Sequence, residues 1–135
     1  MDVLIQFGFS VDEINNILNS NQDIVNANYV DIKEIINLLI SVGCLESHIK
    51  NIIISNPFIL TEDILNIKRI ITRLQYYDFT HLEIFFESNP FFLLMDINEL
   101  NRIFSDKVKE GLSNEQIRDY FYYHFIWKEG LKWML

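Results

Sequence analysis

Residues 55–60 read SNPFIL and residues 88–93 read SNPFFL, nearly the same hexapeptide written twice, 33 positions apart. In each copy a proline pushes the preceding Asn56 or Asn89 out of helical geometry and so ends the helix before it. A stretch repeated at a fixed spacing points first to a repeat architecture. Sliding the chain by 35 residues from the first copy superposes Gly8 on Gly43, Ile14 on Ile49, Ile17 on Ile52 and Ser20–Asn21 on Ser55–Asn56. The same slide sets Ile24 on Ile59, Ile32 on Ile67, Ile35 on Ile70 and Leu39 on Leu74. A further slide of 33 sets Ile67 on Leu100 and Ile70 on Ile103. Gly111 and Ile117 then keep the six-residue spacing of Gly8 and Ile14, which opens a fourth copy.

Inside each copy the apolar spacing is helical. Ile14, Ile17 and Leu18 lie three and four residues apart, the stripe of an amphipathic helix. Ser10 with Glu13 forms a capping box that starts this helix, and Thr80 with Glu83 repeats the pattern in the third copy. Asn28, Asp63 and Asp96 occupy equivalent positions and are good N-caps for a second helix, with Glu99 completing a box behind Asp96. The second helices bury Ile32, Ile35, Ile36 and Leu39; Ile64, Ile67, Ile70, Ile71 and Leu74; and Leu100, Ile103 and Phe104. The expected fold is therefore all-α: a right- or left-handed solenoid of tandem helix-turn-helix units of about 33–35 residues in one domain, 1–135. The units run over roughly 7–41, 42–75 and 76–109, with a partial unit at 110–135. No unit hides its apolar face alone, so neighbours must stack.

Half of the 135 residues are apolar, which is enough for one continuous core and argues against disorder. The net charge of −8 is uneven: residues 1–67 carry −7 and residues 68–135 carry −1. Cys44 is the single cysteine, so no internal disulfide forms and a reducing cytoplasm is the simplest setting. The opening MDVLIQFGFS lacks the basic start of a signal peptide, and no apolar run has the length of a membrane span.

The pattern GFSVDEINNIL, followed a copy later by SNPFIL and another helix, resembles the repeat of the mitochondrial transcription termination factor (mTERF) family. The matching residues are Gly8, Phe9, Ser10, Ile14, Ile17, Pro57, Leu60, Pro90 and Leu93. The resemblance implies a curved stack of helical repeats whose concave side binds nucleic acid, without enzyme chemistry. The chain departs from the family in being acidic and in having Gln22 where the family has proline.

The residues themselves spell no catalytic constellation. His48 follows Cys44 by four residues, but no second cysteine or nearby histidine completes a zinc set. His81 and His124 lack sequence-adjacent partners, Asp12–Glu13 and Glu62–Asp63 sit at helix starts where carboxylates meet the helix dipole, and the glycines form no phosphate loop. The expectation is no enzyme, no cofactor and no metal. Lys68, Arg69, Arg73, Arg102, Lys107 and Lys109 fall on the later second helices and would form a basic ridge beside Tyr76 and Tyr77. The plainer alternative is a solvated face paired with Glu62, Asp78, Glu83 and Asp106. The C-terminal YFYYHFIWKEGLKWML offers Tyr120, Tyr123, Trp127 and Trp133 as anchors for a partner or a twin subunit, with most of the segment buried.

Two functions follow. The first is a binding module whose acidic residues Asp12, Glu13, Asp23, Asp31 and Glu34 engage a basic protein surface, inhibiting a nucleic-acid-binding protein or mimicking DNA towards it. Small acidic inhibitors of mobile elements, anti-CRISPR proteins among them, offer an analogy in size and charge. The second is direct DNA or RNA binding through the basic ridge. Bulk charge favours the first.

Overall fold

The structure is a computed structural model, and it describes residues 2–125. Trp127 and Trp133 lie outside the described residues. Among the described residues every regular element is helical: α1 (Asp2–Phe7), α2 (Val11–Ser20), α3 (Tyr29–Ser41), α4 (Glu46–Ser55), α5 (Ile64–Tyr76), α6 (Leu82–Ser88), α7 (Ile97–Lys109) and α8 (Asn114–Asp119). Three 3-10 turns, Gln22–Asn26, Pro57–Thr61 and Pro90–Leu94, join α2 to α3, α4 to α5 and α6 to α7. A π-helical turn, Tyr120–Phe125, follows α8.

The junctions between units obey one rule. A second helix ends where the chain turns left-handed within two residues of it, at Gly8 (φ 107°), Gly43 (φ 105°), Asp78 (φ 61°) and Gly111 (φ 85°). Only glycine reaches this region without a Cβ penalty. The next amide then reaches back five residues: Phe9 N–H to Leu4 O at 3.0 Å, Cys44 to Leu39 at 3.1 Å, Phe79 to Leu74 at 3.1 Å and Leu112 to Lys107 at 3.3 Å. These are Schellman turns, and Phe9, Cys44 and Phe79 bury the apolar side chain that accompanies them.

The starts are chemical too. Ser10 and Glu13 exchange both capping-box bonds, at 3.1 and 2.8 Å, and Ser113 with Gln116 does the same at the fourth start. In the second copy His48 takes the part of Glu13, its Nδ1 accepting from the Leu45 N–H at 3.0 Å. Cys44 is buried ahead of α4, so the pair makes no shared ligand face. Asn28, Asp63 and Asp96 cap α3, α5 and α7 through the amide two residues on.

Two expected boxes are not built as read. Thr80 does not cap α6, which begins at Leu82 after His81 adopts the left-handed region (φ 52°). Two residues are missing from this copy between its turn and its SNPF, so the chain enters α6 late and the helix has 7 residues against 10 in α2 and α4. Glu83 instead lies 3.4 Å from His81 Nδ1. Asp96 caps α7 through Asn98, and the Glu99 carboxylate takes the Arg102 guanidinium.

Like packs on like. α2 contacts α4 and α4 contacts α6; α1 contacts α3, α3 contacts α5 and α5 contacts α7; the 3-10 turns touch in series. First helices thus form one layer and second helices the other. The predicted stripes fill the space between: Ile14, Ile17, Ile49 and Ile52 from the first layer, joined by Ile53, and Ile32, Ile35, Leu39, Ile67, Ile70, Leu74, Leu100 and Phe104 from the second, all buried, whereas Leu18 and Ile64 are only half-buried at its edge. Each such side chain contributes about 1.5–3 kcal/mol on leaving water. The third copy trades isoleucine for rings, where Phe104 stacks on Tyr77 at 4.1 Å and Phe121 lies 4.8 Å from Phe104. Phe121 is fully buried, Tyr120 is half-buried, and Tyr122 and Tyr123 are exposed.

Candidate anion-binding groove

Adjacent second helices cannot close over their whole length, and between α5 and α7 they leave a groove of about 450 Å³. Lys68, Arg69 and Arg73 line it from α5, with Tyr76 at its end and Ile97 and Asn101 opposite. It continues past Arg73 and Tyr77 to Lys109 on α7. No carboxylate lines either stretch among the described residues.

The six basic residues expected in one ridge divide into two groups. Among the described residues Lys68, Arg69, Arg73 and Lys109 form no ion pair. Arg73 instead lies over the Tyr76 ring, 5.5 Å from its centroid, and Tyr76 meets Tyr77 edge-on at 5.1 Å. Arg102 is bound by Glu99 and by Asp106 at 3.0 Å, and Lys107 by Glu110 at 3.5 Å with its Nζ 3.9 Å from the Tyr120 ring. The difference lies in the helix register: Arg102 has carboxylates at i−3 and i+4, where Arg69 has Asn66 and Arg73. The row also fades towards the N-terminus, since Glu34 stands on α3 where Arg69 stands on α5.

The acidic residues are not gathered on one face. Asp12 and Glu13 lie on α2 in the first layer, Asp23 on a 3-10 turn, and Asp31 and Glu34 on α3 in the second layer. Asp12, Asp23, Asp31 and Glu34 are exposed. Glu13 is held below the usual carboxylate range chiefly by the Ser10 backbone N–H, and Lys50 lies 3.6 Å away. Glu62 is shifted the other way, upwards, mainly by burial. Burial also pushes the Cys44 thiol up to about 11, helped by Glu83 and Glu87.

Asn101 was not singled out by its sequence. It stands where Lys68 stands one copy earlier, and its buried Oδ1 has no hydrogen-bond partner among the described residues. Among the described residues no group of three or more His, Cys, Asp or Glu side chains could hold a metal ion, and no helix is long and apolar enough to cross a membrane. No family model, curated protein or solved structure matches the chain.

Proposed function

We propose that this chain is a non-enzymatic binding module, a solenoid of mTERF-like repeats whose α5–α7 groove takes the backbone of a nucleic acid. The observation that carries the reading is the set Lys68, Arg69, Arg73 and Lys109, cations without an ion pair among the described residues, in one groove of an acidic chain. A cation already paired with a carboxylate must give up that pair to neutralise a phosphate, whereas a free one displaces a counterion of the nucleic acid at no such cost. The exposed Tyr76 beside Arg73 adds a face on which a base can stack. The repeat period, the glycine turns and the proline-marked 3-10 turns support the mTERF-like assignment.

An electrophoretic shift and anisotropy titration at low salt tests this. Single- or double-stranded oligonucleotides should bind at about 1–100 μM, with a log–log salt slope of about −3 to −4 for four phosphate contacts. Lys68→Glu with Arg69→Glu should abolish the shift, whereas Arg102→Glu should change it by less than about two-fold. No binding at low salt sinks the proposal.

A second reading keeps the acidic surface as the functional one, facing a basic partner protein that itself handles nucleic acid. The exposure of Asp12, Asp23, Asp31 and Glu34 favours it. Reversing those charges would then abolish the partner complex and leave oligonucleotide binding unchanged. A twin subunit joined through Tyr123 is a further arrangement of the same module, and its 68% exposed ring is the available anchor.

A further inference from the structure

The two SNPF copies face each other. Their turns flank a groove of about 660 Å³ between α4 and α6, lined by Asn56, Pro57, Phe58, Glu87, Pro90 and Phe91. We infer that this groove docks an extended peptide carrying a basic residue beside an apolar one, a site separate from the α5–α7 groove.

The preceding junction shows what normally fills such a place. There Asn21, 2% exposed, donates from Nδ2 to Thr61 Oγ1 at 2.9 Å and to the Pro57 carbonyl at 3.3 Å, latching the first turn to the second. Asn56 is the same residue one copy on, but Leu94 stands where its threonine should be. Leucine offers no acceptor. Among the described residues the Asn56 carboxamide therefore has no protein hydrogen-bond partner, and the residue is half-buried at the groove wall, its carboxamide open to the groove.

A free carboxamide can grip a peptide backbone by donating and accepting at once. This chain already does so with itself. Asn66 Nδ2 donates to the Met95 carbonyl at 2.6 Å while its Oδ1 accepts from the Ile97 N–H at 3.0 Å, holding an extended three-residue segment. Asn56 can hold a guest backbone in the same manner. Phe58, 52% exposed, and Leu94 supply apolar walls for a side chain. Glu87 is the one charged residue among those lining the groove, and its carboxylate accepts only from the neutral Asn51 amide, at 3.2 Å, among the described residues. An uncompensated carboxylate beside apolar walls selects a lysine or arginine next to an apolar residue.

The probe is a bead library of capped nonapeptides with randomised central positions, panned against the full chain. Sequences pairing Lys or Arg with Leu, Ile or Phe should be enriched. Their consensus, synthesised with a fluorophore and titrated by anisotropy, should bind about ten-fold more weakly to Glu87→Lys and to Leu94→Thr, which lets Asn56 rebuild the Asn21 latch. Lys68→Glu should leave this affinity unchanged, which separates the site from the nucleic-acid groove. If Leu94→Thr fails to fold by circular dichroism, Phe58→Ala at an exposed position takes its place. The inference is overturned by no enrichment, by enrichment of acidic peptides, by a consensus indifferent to the substitutions, or by a dimer in sedimentation that Glu87→Lys dissolves.

Discussion

Asp78 occupies the left-handed turn position, at φ 61°, that Gly43 occupies at φ 105° one unit earlier. Both pass the chain from a second helix into the next unit, and both are followed by a buried residue whose amide closes the same back-reaching bond. Aspartate carries a Cβ that this conformation disfavours, and its short polar side chain only softens the penalty. Asp78→Gly should therefore raise stability by about 0.5–1 kcal/mol, read as a higher urea midpoint at an unchanged m-value. The converse substitution, Gly43→Ala, should lose about 1–2 kcal/mol, since its methyl would also sit 3.3 Å from a Glu83 oxygen.

The Asn21 latch is expected to be a large single polar contribution. Replacing Asn21 with alanine removes its bonds to the buried Pro57 carbonyl and to the Thr61 hydroxyl, which keeps its own bond to the Phe58 carbonyl at 3.2 Å. A loss of about 1–3 kcal/mol in chemical denaturation is expected. Asn56→Ala removes the equivalent side chain one unit later, and with no side-chain bond to lose among the described residues it should cost less than about 0.5 kcal/mol.

The contrast between these two asparagines shows where sequence reading succeeds. Turns and caps were visible because each depends on one residue's own chemistry: glycine at φ above zero, proline after a helix end, Asn28, Asp63 and Asp96 bonding amides two residues on. Asp78 was hidden because aspartate is not compelled to turn left-handed, and the late start of α6 was hidden because the shift of 33 matched everything after the gap. The division of the basic ridge is written in the sequence at i−3 and i+4 of Arg102: Asp106 is among the acids expected to pair with this face, and Glu99, expected in a capping box, pairs with Arg102 as well. The open Asn56 depends on a leucine in the next unit, which acquires meaning only when the two turns are seen side by side.

Phe121 anchors the last unit. Its ring lies 4.8 Å from Phe104, 5.8 Å from Phe92 and 5.9 Å from Phe79, and it is fully buried. Phe121→Ala should cost about 3–5 kcal/mol. Tyr123→Ala, at a 68% exposed neighbour, should cost less than about 0.5 kcal/mol, and thermal melts of the two variants check the pair.

Cys44 tests the core chemically. With its thiol pushed up to about 11, first by burial and then by Glu83 and Glu87, the folded state keeps the proton longer than the unfolded chain does. Stability should therefore fall as pH rises from about 9 to about 11, and Cys44→Ala should flatten that part of the alkaline limb. In the native protein at pH 8 the thiolate fraction is on the order of a thousandth, so an aromatic disulfide reagent should label Cys44 only after urea unfolds the chain. Rapid labelling of the folded protein would contradict the buried position.

Glu13 and Glu62 predict opposite acid behaviour from one residue type. Glu13 is lowered, first by the Ser10 backbone N–H and further by Lys50, so its contribution is present above the unfolded value of 4.5 and is lost as pH falls through the folded one. Glu62 is raised, first by burial, with Asp63 and Asp96 adding repulsion. Its folded state binds the proton more readily, so its share of stability grows as pH falls towards 4.5 and is lost as pH rises through the raised value. Glutamine at position 13 can still close the box, as Gln116 does at 2.8 Å, so Glu13→Gln should keep the helix start while flattening the acid limb. Glu62→Gln relieves a burdened carboxylate and should leave stability at pH 7 equal or higher. Urea midpoints at pH 7 and pH 4 distinguish the pair: the gap between wild type and Glu13→Gln should shrink on acidification, and any advantage of Glu62→Gln should shrink with it.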